Sequence, residues 1–580
     1  MELLYLVSSA LLCTGAATAN AQVHVTDRRN GVTYDGLERN GIEVFLGIPY
    51  GEDTGGENRF KPPKRHVPHR GSTVNATAYG PSCPQQLGEW APPISLGNIT
   101  DISEDCLNLN LARPRETRAT DRLPVMVYIH GGSFIAGDNH DPSILPDGMI
   151  LESVRNGWPV VHVALNYRLG VFGFAQSEAL KSEGSENAGL RDQRLGIEWV
   201  RDNIEHFGGD PHKITIFGQS SGGLAVGMQL MAYGASKPVP FQRAICQSQA
   251  LEPGITGNFT IDAMQAVVDY VDCGDASGDL HSKETVACLR NLDMETLLNA
   301  SLATFSSVIS SNIGDIWLPV VDGDFLPAAP SILIRQGRFA NVTTMIGWCQ
   351  NDVTFFTDPT IETPEDTRKF ISSYVPDLTS SNVDKLLSLY PVSDFVAEAT
   401  STLSSEFFRA ARIFRDIIMT CQPIWYGQHI AKAGNDVYLY DWNQTILEPI
   451  IDEAAGRTGF GPVHTSEFAY IFGNLSHYNT SGQPFHPTPD DYRLAERGSR
   501  SWSTFAATGR PSLPGHDTFQ GFKQAFPAGG HDVYIFGAGG PSEGLSAIDG
   551  ARSKGPMRVQ KLRERCAFIN SPEVIEQLRY

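Results

Sequence analysis

The sequence predicts an α/β protein built on a large, mostly parallel central sheet flanked by helices, with helical insertions capping one end. Three observations predict it. Continuous apolar, β-branched-rich runs at 124–129, 159–165 and 213–217 have the pattern of strands buried on both faces, as parallel strands are. Helical patterns over 187–207 and 221–233 give the strand, helix, strand order of a doubly wound sheet. The run at 213–217 passes directly into Gly218-Gln219-Ser220-Ser221-Gly222, a tight turn that opens a helix.

In chain order, an apolar stretch from Leu3 to Ala19 ends in Ala19-Asn20-Ala21, a small-x-small cleavage pattern before Gln22. Residues 1–21 are therefore expected to be a secretory leader, although Glu2 stands where such leaders usually carry a positive charge. Short strands are expected over 32–47, and a Pro- and Gly-rich loop over 51–93. Beyond the runs above, strands are expected at 241–247, 343–349 and 436–441, and mainly helical caps over 262–338 and 364–430. No linker separates these insertions, so residues 22–580 are expected to form one large domain, and no later stretch could span a bilayer.

At 580 residues, with 41% hydrophobic and 19% charged residues, the chain can bury a large core. A formal charge of -20, spread along the chain and with no dense Lys/Arg cluster, excludes nucleic acid as an expected partner. Export predicts oxidised cysteines, and the nine present leave an even number once Cys13 departs with the leader. Sequence alone leaves their pairing open. Cys83 with Cys106 and Cys273 with Cys288 would close short loops, and Cys421 with Cys566 would tie the tail to the body. Sequons stand at Asn75, Asn98, Asn258, Asn299, Asn341, Asn443, Asn474 and Asn479.

The chemistry centres on Ser220. A serine hydroxyl attacks only when a neighbouring base removes its proton, and a neutral imidazole suits that task near neutral pH. His464, in the Gly/Pro-bounded loop Gly461-Pro462-Val463-His464, is the expected base; His66, His69, His212 and His486 sit in polar or Pro-rich surroundings. A carboxylate at a strand end between serine and histidine should orient the imidazole, and Asp352 fits, with Asp358 the nearby competitor. The tetrahedral oxyanion needs donors, each worth on the order of 100-fold to 1000-fold in rate. His130-Gly131-Gly132-Ser133-Phe134 follows the first buried run, so the amides of Gly132 and Ser133, with that of Ser221, are the expected oxyanion hole.

With these residues in hand, the chain resembles the type-B carboxylesterase and lipase family, which includes cholinesterases and fungal lipases. Besides the elbow, the resemblance rests on Glu104-Asp105-Cys106-Leu107-Asn108-Leu109-Asn110, Asn166-Tyr167-Arg168-Leu169-Gly170, Asn187-Ala188-Gly189-Leu190-Arg191-Asp192-Gln193, Phe207-Gly208-Gly209-Asp210-Pro211 and Leu318-Pro319-Val320-Val321-Asp322-Gly323. It implies the α/β-hydrolase fold, ester hydrolysis through an acyl-enzyme without metal or organic cofactor, and disulfides Cys83–Cys106, Cys273–Cys288 and Cys421–Cys566. Three departures stand out. The acid is Asp352 where many members have Glu. Gln219 and Ser221 flank the nucleophile where members often carry Glu and Ala, which argues against a cationic substrate. The Cys83–Cys106 loop looks shorter than a lipase lid, which favours small soluble esters.

The expected function is thus a secreted carboxylesterase acting on small-molecule esters, with the oligomeric state left open. Two alternatives share the residues: an acyltransferase or ring-closing enzyme using the same acyl-enzyme, and a non-catalytic binding protein on the same fold. Cys246 and Cys349 fall at the ends of neighbouring strands and are expected to be buried thiols or a fourth bridge.

Overall fold

The computed structural model describes residues 22–580 apart from 250, 275–277, 309–315, 396–399, 481 and 528–529, so the expected leader 1–21 lies outside the described residues. A thirteen-stranded sheet runs through the molecule. Its strands are β1 (Gln22–Asp27), β2 (Val32–Arg39), β3 (Ile42–Pro49), β4 (Thr73–Asn75), β5 (Asn108–Pro114), β6 (Leu123–Ile129), β7 (Val161–Leu165), β8 (Gly209–Gln219), β9 (Arg243–Gln247), β10 (Thr343–Cys349), β11 (Val437–Trp442), β12 (Asp532–Phe536) and β13 (Gly544–Ala547).

The order across the sheet is β1-β2-β3-β5-β7-β6-β8-β9-β10-β11-β12-β13, with β4 beside β2. From β7 to β12 every neighbouring pair is parallel, while both ends of the sheet are antiparallel. The parallel strands are buried almost throughout, Val437–Trp442 and Val161–Leu165 completely, because helices cover both faces. β1, β4, β5, β12 and β13 were not read from the sequence: β1, β4 and β13 are short and partly exposed, while β5 alternates Asn and Leu and so reads as half-exposed although the sheet buries it.

The order reverses at β6. The chain leaves it for β7 on one side and returns to β8 on the other, which opens a crevice at the carboxyl ends of β6 and β8. Helix α1 (Ala188–Asn203) precedes β8, and α2 (Ser221–Met231) crosses over from β8 to β9 with all its residues buried. The described parts of the insertions over 262–338 and 364–430 are mainly helical, and the helix Pro364–Tyr374 starts with a reciprocal capping box between Thr363 and Asp366.

Cys83–Cys106, Cys273–Cys288 and Cys421–Cys566 are bonded, the last across 145 positions, while Cys246 and Cys349 are free and buried. Of the two readings kept for that pair, the structure has the thiols. Asn75, Asn98, Asn258, Asn299, Asn341 and Asn479 are exposed and Asn443 is half-buried. Asn474 is the exception among the sequons: its side chain is buried, and its amide donates to the carbonyls of Pro142, Ser143 and Leu145. No described helix is long and apolar enough to cross a membrane.

Candidate active site

Ser220 sits between β8 and α2 with φ 63° and ψ −131°, a backbone conformation that costs about 1–3 kcal/mol and lifts the side chain out of the sheet. The flanking glycine is a steric requirement, because a Cβ on Gly222 would lie 2.2 Å from the carbonyl oxygen of Ile129 at the end of β6. The Ser220 amide donates to the Gln247 carbonyl at 3.0 Å, which ties the elbow to the end of β9.

The loop after β6 lies against this elbow. Gly132 has φ +105° and a Cβ there would lie 2.2 Å from the Ala136 carbonyl oxygen, so the turn closes only with glycine. Ser133 and Phe134 follow with left-handed φ of 56° and 57°. Among the described residues the amides of Gly132 and Ser133 bond to no other protein group, and both residues line the cleft that holds Ser220. Ser221 Oγ accepts from the Phe134 amide at 3.4 Å, which joins this loop to the start of α2. The loop rests on His130, whose ring stacks on Tyr167 at 4.4 Å between centroids and whose carbonyl accepts from the Tyr167 hydroxyl at 2.8 Å. Burial pulls the His130 imidazole down to about 4, so it stands neutral in this wall.

Asp352 follows β10 by three positions and is fully buried. Its Oδ1 lies 2.5 Å from His464 Nδ1, its Oδ2 accepts from the Cys349 amide at 2.9 Å, and its carbonyl accepts from the His464 amide at 3.0 Å. The acid and the imidazole are therefore clamped by main chain as well as side chain, which fixes the proton on Nδ1 and leaves the Nε2 lone pair facing the cleft. Phe356 packs edge-on against the His464 ring at 5.4 Å. Asp358, the competing carboxylate, accepts instead from Thr360 in its own loop.

The structure thus brings Ser220, His464, Gly132 and Ser133 to one cleft of about 60 Å³, with Asp352 behind the histidine. Trp90, Ile94, Ile144, Phe356 and Phe468 make much of its wall. Two features escaped sequence reasoning. Gln219 Nε2 lies 3.0 Å from His464 Nε2, the nitrogen a serine hydroxyl would use. Glu467 is buried behind the triad, accepting from the Cys349 thiol at 3.1 Å and the Gln247 side-chain Nε2 at 3.3 Å. Burial, and then the charge of Asp352, push the Glu467 carboxyl upward, and burial pushes the Cys349 thiol well up. Nothing in Thr465-Ser466-Glu467 marks a buried acid; only its spacing from His464 could have drawn notice. Among the described residues no group of three or more His, Cys, Asp or Glu could hold a metal ion.

Comparison with known proteins adds three findings. A sequence profile described as the carboxylesterase family matches residues 26–528. A secreted lipase of Arthroderma benhamiae is 55% identical over 570 residues, 98% of each chain, and an inactive carboxylesterase-like protein of Byssochlamys spectabilis is 38% identical over 84% of each. The crystal structure of Aspergillus niger EstA superposes with a TM-score of 0.76 over 97% of this chain and 99% of that one, at 24% identity, a likeness of fold.

Proposed function

This chain belongs to the carboxylesterase family and is a carboxylic ester hydrolase, and we propose that it is a secreted serine esterase in which Ser220 is the nucleophile, His464 the base and Asp352 the orienting acid. The observation that carries the proposal is the clamped His464–Asp352 pair, 2.5 Å apart, in the same cleft as the elbow serine.

In the proposed cycle, His464 Nε2 takes the Ser220 proton as Oγ attacks the ester carbonyl. The amides of Gly132, Ser133 and Ser221 receive the oxyanion. His464 then delivers its proton to the leaving alcohol, and water repeats the sequence on the acyl-serine, regenerating the enzyme. A leader over 1–21 and one catalytic domain over 22–580 complete the proposal, supported by three disulfides and a secreted relative. The short Cys83–Cys106 loop, 23 positions across, supports small soluble esters over long-chain ones.

The test is a chain-length series of p-nitrophenyl esters with Ser220→Ala as control. Turnover should peak at short acyl chains and vanish in Ser220→Ala. Undiminished turnover by the variant would remove the proposal.

The inactive relative makes a binding protein the rival to exclude. Stoichiometric labelling by an organophosphonate excludes it. Product analysis with an added alcohol separates hydrolysis from acyl transfer.

A further inference from the structure

A base nitrogen with one lone pair can accept from one donor at a time. Two groups adjacent in sequence at the end of β8 are candidates for His464 Nε2: the hydroxyl of Ser220, which the proposed cycle puts there, and the carboxamide of Gln219. The structure has the amide on it, Gln219 Nε2 lying 3.0 Å from His464 Nε2, while His464 Nδ1 is committed to Asp352 at 2.5 Å. With a proton on Nδ1, the second nitrogen is a pure acceptor, so Gln219 must be the donor in this contact. Gln219 is itself 2% exposed and cannot exchange the histidine for water without moving.

We infer that Gln219 is a positioning residue that occupies the base nitrogen of His464 in the resting enzyme and must yield it to Ser220 when an ester binds. The inference rests on the reading of Ser220 and His464 as nucleophile and base. Its chemical content is the amide N–H alone. A carboxylate at this position would offer no donor to Nε2, would leave the lone pair to the serine, and would hold the imidazolium by charge. An amide differs on both counts: its N–H satisfies the neutral imidazole, and it meets the imidazolium only through its carbonyl oxygen, after the carboxamide turns over, and with no opposite charge. The resting contact keeps the buried imidazole hydrogen-bonded at both nitrogens while the Ser220 hydroxyl is not on it.

Two near-isosteric variants test this, Gln219→Met, which removes the N–H, and Gln219→Glu, which replaces the donor with an acceptor. The readouts are kcat and KM for p-nitrophenyl acetate across pH, the rate of phosphonylation by an uncharged p-nitrophenyl phosphonate, and the thermal midpoint. Gln219→Met should raise the phosphonylation rate and kcat/KM by about 2- to 10-fold, the worth of one ordinary hydrogen bond, with KM little changed. Gln219→Glu should move the acid limb of the kcat/KM profile to higher pH, because a carboxylate beside the ring favours its charged form. A folded Gln219→Met enzyme that reacts at or below the native rate overturns the inference. So does a Gln219→Glu profile that superimposes on the native one, and this variant decides alone if Gln219→Met does not fold. Ser220→Ala runs alongside: if it still reacts with the phosphonate, the triad itself is wrong, whereas a silent Ser220→Ala with an unaltered Gln219→Met removes only the role given to Gln219.

Discussion

Replacing Asp352 by Asn changes one oxygen for one NH2 group in a fully buried site, and the surrounding donors dictate the consequence. The carboxylate faces two N–H groups, the Cys349 amide at 2.9 Å and His464 Nδ1 at 2.5 Å. An asparagine has one oxygen to share between them. If that oxygen stays on the Cys349 amide, the NH2 group points at His464 Nδ1, which must then accept, and the ring proton moves to Nε2. A base that already carries its proton cannot take another from Ser220. If the oxygen stays on His464, two buried N–H groups face each other at Cys349, at a cost of about 1–3 kcal/mol. The useful tautomer is thereby reduced by roughly 5- to 150-fold at 1.36 kcal/mol per decade. The imidazolium formed in the reaction also loses its counter-charge. Together the loss should reach on the order of 10⁴ in kcat, about 5.5 kcal/mol, as in serine-protease triads with the same exchange. The assay is kcat on p-nitrophenyl butyrate beside a thermal melt, and Asp352→Glu, the acid many family members use, serves as control and should keep far more activity. A folded Asp352→Asn enzyme with kcat within tenfold of native would refute the orienting role.

The same structure fixes other outcomes. Gly222→Ala places a methyl group 2.2 Å from a strand carbonyl and should abolish the folded, soluble protein rather than slow it, as expression and circular dichroism would reveal. Breaking Cys421–Cys566 as the double Ser variant frees a loop of 145 positions and should cost about 5 kcal/mol by the chain-entropy relation, read as a large drop in the denaturation midpoint; an unchanged midpoint contradicts it. His162 is buried among Tyr128, Phe217 and Phe472 with its Nε2 unpartnered, and burial lowers its pKa to about 3. Because the folded value lies below the unfolded one of about 6.5, its stability contribution is complete above pH 6.5 and lost as pH falls toward 3. His162→Phe should therefore remove about 2–3 kcal/mol of the stability lost between pH 7 and pH 4.5, measured by urea denaturation, and an unaltered pH dependence would count against the burial argument.

What the sequence disclosed divides along the range of the interactions. Gly218 and Gly222 flank Ser220 because the elbow packs against itself and against the Ile129 carbonyl of β6, and since every such elbow packs against its neighbouring strand in this way, it is legible from five consecutive residues. Asp352 and His464 were legible only through strand order and loop character, since their meeting is made by the tertiary fold. The identity of the group on His464 Nε2 was not legible at all: Gln219 and Ser220 are neighbours in sequence, and which one reaches the histidine depends on side-chain rotamers set by packing. Glu467 was hidden for a related reason, because a charged residue in a loop reads as solvated until the sheet buries it. Asn474 shows the reverse, a sequon whose side chain caps three carbonyls inside the molecule, a burial no local pattern announces. Strands β1 and β13 were missed because they are short and partly exposed, and β5 because its Asn/Leu alternation reads as half-exposed although neighbouring strands bury it.

The proposed chemistry stands or falls on an acyl group carried by Ser220, and mass spectrometry of enzyme quenched during turnover of a slowly deacylated p-nitrophenyl ester would detect it. One acyl adduct per chain is expected, mapped to the peptide containing Ser220 and absent from Ser220→Ala. An adduct on another residue, or turnover persisting in Ser220→Ala, would show that Ser220 is not the nucleophile.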